Sequence, residues 1–232
     1  MNENIYTSGE YLANNPDWHA EDSVWKAEQI FKMIKRNNII LKTICDVGCG
    51  AGEILKQLQR MMSSQAEFWG YDISPQAFDL CKDKANENLH FKLKDIMEEQ
   101  EVFFDVILII DLIEHLEDYF CFLREIKKRS KYVIFHIPLD LSVQGILRSE
   151  PFINSYEKAG HIHFFTKDIA LNVIKDMGYE IIDYFYTASG IDRPGKSFLS
   201  RLSRLPRKIL FWINADLAVR IVGGYSLLIL AQ

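Results

Sequence analysis

Three stretches of the chain carry residue types that do chemistry. The first is Asp46-Val47-Gly48-Cys49-Gly50-Ala51-Gly52. Three glycines in five positions let a backbone turn tightly and approach a ligand closely. A helix opening there offers unsatisfied N–H groups and a positive dipole end. A dinucleotide site spaces its glycines G-x-G-x-x-G. Here the spacing is G-x-G-x-G, and the sixth position is Glu53, which would repel a pyrophosphate. The expected ligand has little negative charge at that point.

The second stretch ends in Asp72, 20 residues after Gly52. A carboxylate at the tip of a second strand can accept both hydroxyls of a ribose, so the ligand reads as a nucleoside. The third runs Asp111-Leu112-Ile113-Glu114-His115-Leu116-Glu117-Asp118. If it is helical, Asp111, Glu114 and His115 at i, i+3 and i+4 share a face. Later come His161 and His163, which point the same way if their segment is extended. His115, His161 and His163 are the candidate general bases. His136, inside an apolar strand, reads as a satisfied core or cleft histidine. An alternative places Asp111, Glu114, His115 and His161 in a mixed carboxylate–imidazole metal site.

Elements must hold these residues in place. Residues 17–37 carry apolar side chains at helical spacing. LKTICDV (41–47), AEFWGYD (66–72), LHFKL (89–93), FFDVILII (103–110), KYVIFHI (131–137), YEIIDYFYT (179–187) and YSLLILA (225–231) read as strands. The fourth is apolar on both faces, as a central parallel strand should be. Ser74-Pro75 opens a helix as N-cap and first position. Thr166 caps another helix, which Gly178 terminates. Residues 139–160 read as irregular. Strands alternate with helices through residue 187, so an open, mostly parallel sheet with helices on both faces is expected. Its ligand should sit at the carboxyl ends of the strands, near the switch in strand order.

In combination, DVGCGAG, Asp72 in GYDIS, Asp95-Ile96, FDVIL at 104–108, DLIEHLED and GHIHFFTKDIALNVIKDMGYEI resemble the class I S-adenosylmethionine-dependent methyltransferases. The resemblance spans roughly residues 40–187 plus the closing strand. It implies a Rossmann-like seven-stranded α/β sheet of order 3-2-1-4-5-7-6 with strand 7 antiparallel. It also implies S-adenosylmethionine as cofactor. Asp46 and the backbone of Gly48, Cys49, Gly50 and Gly52 would hold the methionine part, Asp72 and Ile73 the ribose side, and Asp95 with Ile96 the adenine. Asp111 and Leu112 would lie near the sulfonium. Segments before strand one often cover the cleft in such enzymes, so Tyr11, Trp18 and His19 would form part of a lid.

The implied activity is methyl transfer to a small-molecule acceptor, as O-methylation because histidines crowd the expected cleft; a sugar, lipid-linked or quinone-like acceptor would suit it. The alternatives are a metal-assisted RNA 2′-O-methyltransferase, whose E-x-x-E-H pattern differs here at Asp111, and a non-catalytic nucleoside-cofactor-binding protein. The implied division is a helical cap over 1–38, a core over 39–187, a helical insertion over 188–224 and a closing strand over 225–232.

The 232 residues carry 27 Lys plus Arg and 32 Asp plus Glu, a net charge of −5. With 48% hydrophobic and 25% charged residues, disordered and disulfide-scaffold classes are excluded. The acidic balance speaks against a nucleic-acid partner. Four cysteines without a C-x-x-C pair, and a polar start unlike a signal peptide, fit a reduced cytoplasmic setting. One stretch departs from this balance. RPGKSFLSRLSRLPRK (193–208) holds six basic residues and no acid. It reads either as a solvated helix face or as a basic amphipathic element for a membrane surface or an anionic substrate.

Overall fold

A computed structural model describes residues 20–62, 66–188 and 204–232. Tyr11, Trp18 and His19, and residues 193–203 of the basic stretch, lie outside the described residues.

The long amphipathic segment forms α1 (Ala20–Arg36), and the glycine stretch joins β1 (Thr43–Val47) to α2 (Glu53–Met61). Then follow β2 (Glu67–Asp72), α3 (Pro75–Cys81), β3 (Leu89–Leu93), β4 (Phe104–Ile110), α4 (Tyr119–Lys127) and β5 (Ser130–Pro138). The seven strands form one sheet in the order β3-β2-β1-β4-β5-β7-β6, with β6 at Ile181–Thr187 and β7 at Ser226–Ala231. The first five are parallel to one another, and β7 runs antiparallel to both β5 and β6. This is the expected order. The switch falls between β1 and β4, where connections leave to opposite sides and open a crevice at the carboxyl ends.

Alternating side chains of β4 explain its unbroken apolar run. Val106, Leu108 and Ile110 pack with Ile30 and Met33 of α1 and Leu55 and Leu58 of α2. Ile107 and Ile109 pack on the other face with Leu123, Phe135 and Ile174. Burying both faces of the strand excludes polar residues from Val106 to Ile110, between Asp105 near its start and Asp111 beyond its tip. The caps read from sequence are present. Ser74 Oγ accepts from Ala77 N at 3.3 Å, and Thr166 Oγ1 accepts from Ile169 N at 3.3 Å, opening α7 (Lys167–Asp176).

Residues 139–160 depart from the sequence reading. They fold into α5 (Val143–Arg148), α6 (Glu150–Asn154) and a wide π-type turn at Ser155–Ala159. Two caps build them: Ser142 Oγ accepts from Gly145 N at 3.1 Å, and Pro151 sits in the first turn of α6. Each helix is too short to show a helical repeat, so periodicity missed them. The segment around Asp111–Asp118 is likewise not one helix. It is a tight turn at Ile113–His115 followed by α4, which Asp118 caps. Between β6 and β7 lie α8 (Arg204–Ile213) and α9 (Ala215–Val222). Among the described residues, no helix is long and apolar enough to cross a membrane.

Candidate active site

Two adjoining cavities open at the carboxyl ends of the strands, of about 220 and 290 Å³. Together they approach the size that encloses a drug-sized ligand. The smaller is a slot between the tips of β1, β2, β3 and β4. The glycine loop sits at its head, sewn to β2: Gly48 N and Cys49 N donate to the Tyr71 carbonyl at 2.8 and 3.1 Å, and Gly50 N donates to Asp72 Oδ2 at 2.8 Å. Gly52 stands at φ +70°, where a side chain is strained, and a Cβ there would meet the Phe91 ring at 2.5 Å. The other oxygen of Asp72 accepts from Ser74 N at 2.9 Å. Burial pushes the Asp72 carboxyl above its ordinary value, against the pull of these backbone donors. Ile73, Asp95, Ile96, Met97 and Leu112 line the rest of the slot. Asp95 also performs a local task, accepting from Met97 N at 2.8 Å to cap the short turn that follows.

The larger cavity shares Gly48, Asp111 and His115 with the slot. Asp46 lies buried on its floor with Oδ1 unpartnered, and burial and the nearby Asp72 push its carboxyl up to about 8. The unfolded chain would release that proton near pH 4. Between those values the folded chain holds a proton the unfolded chain lacks, so stability falls as pH rises through the window and is level above it. Asp46→Asn should therefore raise the melting temperature of the ligand-free protein by several degrees at pH 8 and far less at pH 5, as scanning calorimetry would measure. An equal shift at both values would refute this origin.

Asp111 is held at φ +49° just beyond β4. Its carboxylate meets Lys26 Nζ of α1 at 2.6 Å and His136 Nδ1 of β5 at 2.5 Å. The far side of the His136 ring, Nε2, lies 2.9 Å from Thr187 Oγ1 at the end of β6. Burial alone would push the Asp111 carboxyl up, but His136 and Lys26 hold it well below the usual carboxylate range. An ionised carboxylate, its charge paired with Lys26, thus stands on the wall between the two cavities. This corrects the sequence-based metal set. Among the described residues, the group able to hold an ion is Glu114, His115 and His161, whose ligand atoms lie within 4.8 Å of one another, and Asp111 is engaged elsewhere.

The three candidate bases have separate surroundings. His161 lines the larger cavity, and its Nδ1 lies 2.8 Å from Asp140 Oδ2. A carboxylate only accepts, so Nδ1 carries the hydrogen and Nε2 keeps its lone pair. His115 lies edge-on to His161, with ring centroids 4.9 Å apart, and its Nδ1 is 3.0 Å from the Gly160 carbonyl. His163 does not point the same way as His161: its Nε2 is 2.9 Å from the Leu116 carbonyl and its ring packs edge-on against Tyr119. The segment is not extended there, because the N–H groups of Ile162 and His163 both turn to the Glu114 carbonyl at 2.9 and 3.1 Å. The Glu114 side chain is fully buried, with neither oxygen hydrogen-bonded. Burial, and then Asp111, raise its pKa.

Sequence reasoning missed Lys26, Asp140 and Thr187. Lys26 reads as one charge on an amphipathic helix, and Thr187 as a strand end. Asp140, two residues past the strand-ending Pro138, stood where a parallel sheet places its ligands, and that position was the available signal. Glu53 also lines the cavity, but Lys84 at 3.3 Å and Lys56 at 3.7 Å offset its charge.

Residues 41–189 match a family described as a methyltransferase domain. No curated protein matches the chain. Among solved structures, it resembles the N-methyltransferase NodS from Bradyrhizobium japonicum in complex with S-adenosylhomocysteine. That match has 16% identity and a TM-score of 0.61, over 99% of this chain and 98% of that one. It resembles magnesium protoporphyrin IX methyltransferase from Synechocystis, also with bound S-adenosylhomocysteine, at 14% identity and TM-score 0.60, over 90% and 82% of the two chains. The plantazolicin methyltransferase BpumL is similar at 17% identity and TM-score 0.56, over 97% and 88%. At these identities the likeness is one of fold.

Proposed function

The chain belongs to the methyltransferase domain family, and from that premise we propose that it moves the methyl group of S-adenosylmethionine to a hydroxyl of a small-molecule acceptor. The wall common to the two cavities carries this reading. Asp111 and His115 line both, with a carboxylate suited to a ribose, Asp72, on one side and the Asp140–His161 pair on the other. Solved relatives hold S-adenosylhomocysteine, the demethylated product, which supports the donor.

Bound across the slot and the glycine-loop wall of the larger cavity, the donor would supply a methyl carried on a positive sulfonium. The chain's residues do the rest. The glycine-loop backbone and Asp46 would receive the methionine part, and Asp72 would accept from the ribose hydroxyls. Ile73, Ile96 and Leu112 wall the adenine, with Asp95 at the rim. Asp111, ion-paired with Lys26, would line the cofactor on the side of its sulfonium. His161 Nε2 takes the acceptor's proton as the O–C bond forms and the S–C bond breaks, and Asp140 steadies the resulting imidazolium.

One observation favours a second reading. The buried, unpartnered carboxylate of Glu114 beside His115 and His161 is a donor set that suits a divalent cation. A cation held there would polarise the acceptor oxygen. An RNA 2′-O-methyltransferase would use such a site, but the net charge of −5 weighs against that substrate.

Titration calorimetry tests the main reading. S-adenosylmethionine and S-adenosylhomocysteine should bind with one site each, and NAD should not. NAD binding without S-adenosylmethionine binding would overturn it.

A further inference from the structure

α5, α8 and α9 turn large apolar side chains to solvent. Trp212 is 88% exposed, Leu147 81% and Ile213 69%, with Ile146 and Ile209 also exposed. So many large apolar side chains exposed on three helices call for a partner. The three helices form one face. α5 and α9 meet across an apolar groove lined by Val143, Leu147, Ile221 and Val222. Arg207 Nη2 of α8 reaches Gln144 Oε1 of α5 at 3.5 Å. Phe211 of α8 stacks on Tyr225, with ring centroids 5.2 Å apart, which anchors the inner side of that helix. Its outer side therefore carries Lys208, Ile209, Trp212 and Ile213, all exposed.

Charge accompanies the apolar surface. α8 contains no acid, and the stretch 193–208, which runs into it, holds six basic residues and no acid, against −11 for the remaining chain. A tryptophan and aliphatic side chains next to cations is the composition of a helix that lies in a membrane interface. Side chains exposed as fully as Trp212 and Leu147 stand out from the surface. That suits entry into a soft headgroup layer better than fitting a rigid pocket. We propose that this face docks on an anionic membrane, with Trp212, Ile213 and Leu147 entering the headgroup boundary while Arg207 and Lys208 of α8 pair with lipid phosphates. The inference stands on the surface alone and is independent of the methyl acceptor, although α5 begins three residues after Asp140 and the turn at 155–159 brings Ala159 to the cleft wall.

Vesicle co-sedimentation of the full chain tests it, with vesicles of phosphatidylcholine alone and of phosphatidylcholine mixed with phosphatidylglycerol. Binding should require the anionic lipid and weaken in high salt. The double substitution Trp212→Ser with Leu147→Ser should lower the partition coefficient by about tenfold or more, and Lys208→Glu by at least about fivefold. Both serine sites are exposed, so the melting temperature should be unchanged. If it falls, the charge reversal, which removes no packing, decides. Absent binding, equal binding to both vesicles, or unaltered binding by Lys208→Glu would overturn the proposal. So would self-association abolished by the serine substitutions without vesicle binding, which would assign the face to a second copy of this chain.

Discussion

Replacing His161 with alanine lowers kcat by about 100- to 10,000-fold, the range a positioned general base supplies, and leaves the affinity for S-adenosylmethionine nearly unchanged. The measurement uses an acceptor found by screening for transfer of labelled methyl groups. The expectation follows from the arrangement around the ring. Asp140 holds Nδ1 at 2.8 Å, which fixes the tautomer and leaves Nε2 as the acceptor of a proton. His115 and His163 do not share this arrangement: the Nδ1 of one and the Nε2 of the other lie against backbone carbonyls. Asp140→Asn, a change at a positioning residue, should lower kcat less than His161→Ala does, with little change in KM. Chelators should leave wild-type turnover unaltered. Loss of turnover on chelation, restored by a divalent cation, would instead favour the Glu114–His115–His161 ion site. Activity of His161→Ala within a few-fold of wild type would refute both assignments for this residue.

Replacing Asp72 with alanine raises the Kd for S-adenosylmethionine by about 100-fold or more. Two hydrogen bonds from ribose hydroxyls to a carboxylate are together worth roughly 3–6 kcal/mol. The same substitution also removes the acceptor for Gly50 N, which braces the glycine loop. Calorimetry on Asp72→Asn separates the two roles. Asparagine keeps the size and one acceptor oxygen, so a loss nearly as large as in alanine points to the ribose contact and its charge, and a small loss points to the brace. A Kd for Asp72→Ala within threefold of wild type would remove Asp72 from the cofactor site.

The half proposed to bind the cofactor was largely legible in the sequence, because each of its parts is written in consecutive residues. A five-residue strand followed by G-x-G-x-G defines a strand, a tight loop and a helix start without reference to anything distant. FDVILII reads as a central strand because both its faces are buried. Ser74 before Pro75 and Thr166 before Lys167 announce helix starts by local hydrogen bonding alone. The failures share the opposite cause. The helices within 139–160 are too short to display a period. The joint face implied for His161 and His163 depended on an extended segment, which the Glu114 carbonyl prevents by gathering two N–H groups.

The acceptor half belongs to tertiary structure. Asp140 and His161 are 21 residues apart and become a pair because the connection between β5 and α7 folds back on itself. The fixed charge of Asp111 is assembled from α1, β4, β5 and β6, four elements that meet because the sheet order sets β4 beside β5 and α1 packs across them. Nothing in DLIEHLED shows that Glu114 is fully buried or that Asp111 turns away from it toward Lys26. The sequence by itself determined the class of sheet, the glycine loop and the acid after the second strand, since local sterics, periodicity and capping act between near neighbours. Only the folded arrangement decided which histidine meets a carboxylate, which acid is left without a partner, and that α5 and α8 share one apolar, basic face. Those are outcomes of packing between elements far apart in the chain, where burial and long-range contacts decide the environment of each side chain.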